Sequence, residues 1–112
     1  MRAFKAGVFE CLGHPARVAI VEFLGHGEMN VGQLCENLGL EESVVLEHLE
    51  MLQSRGLIRR RRDGRLLHYR LRDPRLIEIL DRLRDLFFAD LGRAMDSVSE
   101  RVDQTRANRS AP

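Results

Sequence analysis

The stretch from Arg55 to Arg72 constrains this chain more than any other. It places Asp63-Gly64 between two short runs that read as strands, and eight of its eighteen residues are arginine against a single aspartate. Both central residues of a type I′ turn need positive φ, which Asp and Gly tolerate, so the pattern predicts a hairpin with Asp63 and Gly64 at its tip. In strand alternation Arg59 and Arg61 point one way and Arg60 and Arg62 the other. Both faces are then cationic, with no apolar side to bury before Leu66. The remainder of the chain is acidic: residues 1–54 carry three basic and eight acidic groups, and residues 73–112 seven and eight. A formal net charge of +1 therefore hides one concentrated cationic ribbon.

Charges on an exposed hairpin can be no more than a solvated face. Concentrated to this degree they repel one another, and a polyanion relieves that repulsion through neutralisation and counterion release. The ribbon therefore predicts nucleic-acid contact. Arg62 and Arg65 flank the turn and, with Arg60, are the expected phosphate or minor-groove contacts; Arg59, nearer the body, is expected to pair with an acid.

At 112 residues and 44% hydrophobic the chain is long enough for one core, which predicts a single domain over residues 1–104 and a frayed tail over 105–112. No apolar run approaches the roughly 18–20 residues that span a bilayer, and Met1 to Gly7 lack the apolar core of a secretory signal. The expectation is a cytoplasmic protein without a membrane partner. Two cysteines, Cys11 and Cys35, are too few for a disulfide framework. No nucleophile and base stand at a recognisable spacing and no glycine-rich phosphate loop occurs, so no enzyme and no cofactor are expected.

Along the chain, Phe4, Val8, Cys11 and Leu12 give the one-sided pattern of a helix that stops at Gly13. Pro15 suits the first position of a second helix with Val18, Val21 and Leu24 on one face and Ile20 and Phe23 beside them. Asn30 is a good cap for a third, with Val31, Leu34, Cys35 and Leu38 inward and Gly39 as its stop. A fourth helix over about 41–54 buries Val45, Leu49 and Leu52 before Gly56. Two helices joined through a short glycine turn form a helix-turn-helix. From Asp73-Pro74 an apolar pattern runs for about thirty residues, through Leu76, Ile79, Leu80, Leu83, Leu86, Phe87 and Leu91 to Val102. Such a helix, about 45 Å long at 1.5 Å per residue, exceeds what the domain can cover, so its remaining face predicts a second copy of the chain.

In order and spacing, these pieces resemble the ArsR family of bacterial repressors. The residues that carry the resemblance are Phe9 to Leu24, Gly27 to Leu40, Val45 to Ile58 and Arg61 to Leu71, within a span of roughly residues 4–91. It implies a mainly α fold with a small β-hairpin, a winged helix-turn-helix whose dimer is built on the first and last helices. Phe4, Val8, Leu83, Phe87 and Leu91 are the expected interface. It further implies a homodimer that sets two recognition helices in successive major grooves of a palindromic double-stranded DNA operator, with release by an inducer. The family's thiolate metal site uses a Cys-x-Cys pair at the start of the third helix, where this chain has Asn30 and Gly32. Its other site needs histidines on the last helix, and residues 73–112 contain none. No metal is expected.

On the fourth helix the face opposite the buried stripe carries Glu42, Ser43, Leu46, Glu47 and Glu50. Carboxylates approach DNA unfavourably, but Glu42 or Glu47 can accept from cytosine N4 and Leu46 can touch a thymine methyl, with Ser43 a simpler contact. His48 reads as a packing residue, and His14 as a weak cap standing where the family has an acid. Cys11 and Cys35 read first as small hydrophobes, and alternatively as a thiol or redox switch. The competing function is a winged-helix protein-interaction module that binds a partner through the long last helix, without specific DNA binding.

Overall fold

The computed structural model describes residues 1–88, within which Met1–Ile77 forms one compact unit and the helix continues from Glu78 into a second. The order is α1 (Arg2–Leu12), α2 (Pro15–Leu24), β1 (Met29–Asn30), α3 (Val31–Leu38), α4 (Glu42–Ser54), β2 (Ile58–Asp63), β3 (Leu66–Leu71) and α5 (Arg75–Phe88). The fold is a winged helix-turn-helix, mainly helical, with a sheet in the order β1-β3-β2, antiparallel throughout. The sequence pattern indicates only the hairpin. The third strand is a two-residue edge, Met29 opposite Tyr69 and Asn30 opposite His68, too short to show alternation.

Local chemistry places the helix ends. His14 caps α2, its Nδ1 accepting from the Ala16 N–H at 3.2 Å, so it serves better in that position than its residue type suggests. Asn30 and Gln33 form a reciprocal capping box on α3, both bonds at 2.9 Å. At the end of α4 the Leu57 N–H donates to Leu52 C=O and the Gly56 N–H to Gln53 C=O, with Gly56 at φ 71°. That is a Schellman motif, and it turns the chain from α4 into β2. Asp73 accepts from the Arg75 N–H at 2.9 Å and starts α5. The Arg75 guanidinium also binds both oxygens of Asp73, and with these bonds holds its carboxyl down at about 2.

The core lies where α2, α3 and α4 meet the root of the sheet. Ile20, Val21 and Leu24 face it from α2, Leu34 from α3, and Val45, Leu49 and Leu52 from α4; Ile58, Tyr69 and Leu71 close it from the strands. Val21 and Leu24 of the expected stripe are buried with Ile20 beside them, while Val18 is half-buried. Leu66, expected to begin the apolar side of the wing, is 54% exposed; burial starts further from the turn. α1 buries Gly7 and Cys11, while Phe4 is exposed and Val8 half-buried. α5 has no buried residue between Arg75 and Phe88, and the last stretch of the long apolar pattern, including Leu91, lies outside the described residues. None of the described helices is long and apolar enough to cross a membrane.

Leu49→Ala removes a side chain that is 1% exposed at the centre of this core. It should lower the unfolding free energy by about 2–5 kcal/mol in urea denaturation, whereas Leu66→Ala at the wing should change it by no more than about 0.5 kcal/mol.

Candidate nucleic-acid interface

The wing is built by register. Asp63 pairs with Leu66, so the two-residue loop is Gly64-Arg65, not Asp63-Gly64. Gly64 has φ 61° and no non-glycine described residue has positive φ, a pattern that excludes type I′ and matches type II′, with glycine at the first central position. From that loop back, Arg62 stands opposite Leu67, Arg60 opposite Tyr69 and Ile58 opposite Leu71, on the face whose root is buried. Arg61 stands opposite His68 and Arg59 opposite Arg70, on the other face.

The arginines are not equivalent. The Arg55 guanidinium lies over Gly7 of α1, where a Cβ would come within 2.7 Å of Nη1. Arg61 is the one held by acids: its Nη2 donates to Glu28 Oε1, and Asp63 lies 3.9 Å from Nη1. The partner expected for Arg59 thus belongs to Arg61, because Glu28 reaches the sheet from the residue before β1. The hydrogen bond to Arg61 holds the Glu28 carboxyl below the usual range and raises the guanidinium in turn. Arg60, Arg62 and Arg65 are exposed and have no ion pair among the described residues. They present three uncompensated charges along one face and the tip of the wing.

α4 presents Glu42, Ser43, Glu47 and Glu50 to solvent, with no ion pair on the three carboxylates among the described residues. Leu46 is half-buried rather than fully outward. Behind this face, a polar node joins α2 to α4. Arg17 donates from Nε to His48 Nδ1 at 3.3 Å and from Nη1 to the Cys11 carbonyl at 3.3 Å, and the rings of His14 and His48 lie 4.5 Å apart, tilted by 54°. Arg17 and His48 are thus structural, tying α1, α2 and α4 together; the signal in sequence was only that both sit beside apolar stripes. Cys11 is buried at 2% exposure and Cys35 is half-buried, both as free thiols. Among the described residues no three His, Cys, Asp or Glu side chains gather into a metal site.

Residues 14–60 match the family described as bacterial regulatory protein, arsR family. The HTH-type transcriptional regulator Rv0081 of Mycobacterium tuberculosis is 33% identical over 108 residues, 96% of this chain and 91% of that protein. Its crystal structure superposes with a TM-score of 0.72 at 32% identity, covering 90% of this chain and 95% of that one. The transcriptional repressor BigR of Xylella fastidiosa gives a TM-score of 0.66 at 28% identity over 73% of this chain and 84% of that one. The homodimeric winged helix-turn-helix DNA-binding domain Mb0332 of Mycobacterium bovis shares the fold, with a TM-score of 0.72 at 24% identity over 80% and 86% of the two chains.

The α2–α4 node makes stability depend on pH. Burial first, then the charges of His14 and Arg17, push the His48 pKa below its ordinary value, against a smaller opposing effect of Glu47. The unfolded chain therefore takes up this proton at higher pH than the folded protein does. Stability falls as pH drops through about 6.5, the unfolded value, and the loss is complete once pH lies below the folded value. Thermal melts across this range should show the wild type losing more than His48→Gln, which keeps an acceptor for Arg17 and does not titrate. Equal losses would place the effect elsewhere.

Proposed function

Because the chain belongs to the arsR family of bacterial regulatory proteins, we propose that it is a cytoplasmic repressor that sits as a homodimer on a palindromic operator until a signal releases it. It is a DNA-binding transcriptional regulator, in a family of regulators rather than catalysts. The observation that carries the specific reading is the set of exposed arginines without an ion pair among the described residues, Arg60, Arg62 and Arg65, on a hairpin that follows the exposed outer face of α4 through a fixed helix stop. In this reading the wing supplies attraction to the phosphates, while α4 discriminates through Ser43 and through Glu42 or Glu47 accepting from cytosine. Leu46, half-buried, reaches a thymine methyl only with its outer edge.

Support for the dimer comes from the apolar surface. Ile79, Leu83, Leu86 and Phe87 are all exposed on α5, the last two at 76% and 66%, and Phe4 is exposed on α1. A helix with no buried residue and this much outward apolar surface is stable when it meets another such surface. We assign the interface to Phe4, Val8, Leu83 and Phe87, with Leu91 continuing the same sequence pattern. Mb0332 is itself homodimeric and BigR a repressor, which fits the same assembly and direction of control.

For the signal, the two thiols are the proposed input. Cys35 is the one that a solution oxidant or persulfide reaches first, since Cys11 is buried. Operator binding compared among reduced, oxidised, persulfide-treated and Zn²⁺-loaded protein tests this. Four equal affinities would remove both thiol and zinc inputs.

Titrating the protein with its own upstream DNA at several salt concentrations tests the main reading. Neutralising Arg62 and Arg65 together, each to Gln, should weaken binding to all sequences alike and reduce the log–log salt slope by about 3.6, close to 0.9 for each of the four phosphates that the two wings of the dimer would contact. Glu47→Gln should instead change base preference; a uniform gain on every sequence would mean that Glu47 only repels DNA. Binding with no sequence preference at all would favour the protein-interaction module. Phe87→Glu should convert the dimer to monomer in sedimentation, and cost the two-half-site operator far more affinity than a single half-site.

A further inference from the structure

The outward face of the wing carries an anion already. The register sets Asn30 beside His68 and Met29 beside Tyr69, so Glu28, one residue earlier, extends the same row beside Arg70. Across the central strand, Arg70 faces Arg59 and His68 faces Arg61. One face of the sheet thus collects Glu28, Asn30, His68, Arg70, Arg59 and Arg61, with Asp63 further out. Arginine directly opposite arginine is a destabilising cross-strand pair. Glu28 lies among these groups: its Oε1 accepts from Arg61 Nη2 and sits 3.7 Å from His68 Nδ1. To make that contact the carboxylate spans from the β1 edge across β3 to β2, 33 residues away in sequence.

A carboxylate and a phosphate offer the guanidinium the same charged acceptor oxygens. On the reading that the wing binds DNA, we propose that Glu28 is a positioning residue that occupies, from within the chain, the seat a DNA phosphate would otherwise take on Arg61. Arg61 then adds nothing to counterion release, and the wing engages DNA through Arg60, Arg62 and Arg65 from its other face and its tip. Glu28 thereby caps the sequence-independent attraction of an arginine-rich hairpin and preserves the margin between operator and bulk DNA. The lowered Glu28 carboxyl agrees, since the acid stays ionised under any condition in which DNA binding is measured.

The test uses Glu28→Gln, Arg61→Gln, the double variant and Arg62→Gln as the comparison. Salt dependence is read on operator and on unrelated duplex DNA, and elution from immobilised heparin is read in parallel. Arg61→Gln alone should leave the salt slope unchanged, whereas Arg62→Gln lowers it by about 1.8, about 0.9 for each wing of the dimer. Glu28→Gln should raise the slope by about 1.8 across the two wings, raise affinity for unrelated DNA about tenfold, narrow the operator preference and delay elution from heparin. The double variant should return to the wild-type slope. A merely structural role for Glu28 would lower affinity and slope, not raise them. The proposal is overturned if Arg61→Gln reduces the slope as Arg62→Gln does, or if Glu28→Gln leaves slope and heparin elution where they were. Should Glu28→Gln fail to fold, the Arg61→Gln arm decides alone. Later heparin elution of Glu28→Gln in a protein that shows no operator preference would fail the repressor reading and leave the role of Glu28 standing.

Discussion

Three buried side chains at the root of the sheet, Ile58, Tyr69 and Leu71, hold everything that lies beyond them. From Arg59 outward to Leu66 every residue of the hairpin is exposed, and most of it is arginine, so the outer wing has little apolar surface with which to stabilise itself. Fully burying a side chain of this size contributes about 1.5–3 kcal/mol, whereas an exposed guanidinium pair contributes repulsion. The wing therefore keeps its shape because its root is part of the helical core. The two-residue β1 adds a second seam along β3, and Glu28, at its edge, removes one of the charges.

On the helical side, α4 is oriented by Val45, Leu49 and Leu52 inside and by the Arg17–His48 hydrogen bond at its flank. Its solvent face is acidic while the hairpin that follows is cationic. Two adjoining surfaces of opposite sign can meet one polyanion only if they do different work, attraction by one and selection by the other. The Schellman motif at Gly56 fixes where the acidic helix ends and the cationic strand begins.

Much of this was legible in the sequence because it is encoded locally. Asn30, Gly39, Gly56 and Asp73 each act on a backbone group within a few residues, so the helix starts and stops followed from residue type. The buried stripe of α4 followed from its period. What was not legible depends on partners far apart in the chain or on register. Asp63-Gly64 suggests one two-residue loop and Gly64-Arg65 another, one position apart, and nothing local chooses between them. The acid for Arg61 is Glu28, brought there by a strand only two residues long. The half-burial of Leu46 reflects tertiary packing that a helical wheel of α4 alone does not contain. The exposed arginines themselves were legible as a group, but their separation into paired and unpaired members was not.

Gly56 and Gly64 bracket β2, each in the left-handed region that other residues occupy only with strain. Between them, Arg59 to Asp63 are all exposed, alternately on the two faces of the hairpin beyond the point where the core ends. The two ends of the strand are thus fixed by the backbone, while its middle is free of any packing requirement. Substitutions at the positions without an ion pair among the described residues, Arg59, Arg60 and Arg62, should change folding stability by no more than about 0.5 kcal/mol, yet each removes a whole charge from the surface proposed to meet DNA. Binding strength can therefore drift over generations, upward or downward, without the fold having to be repaired.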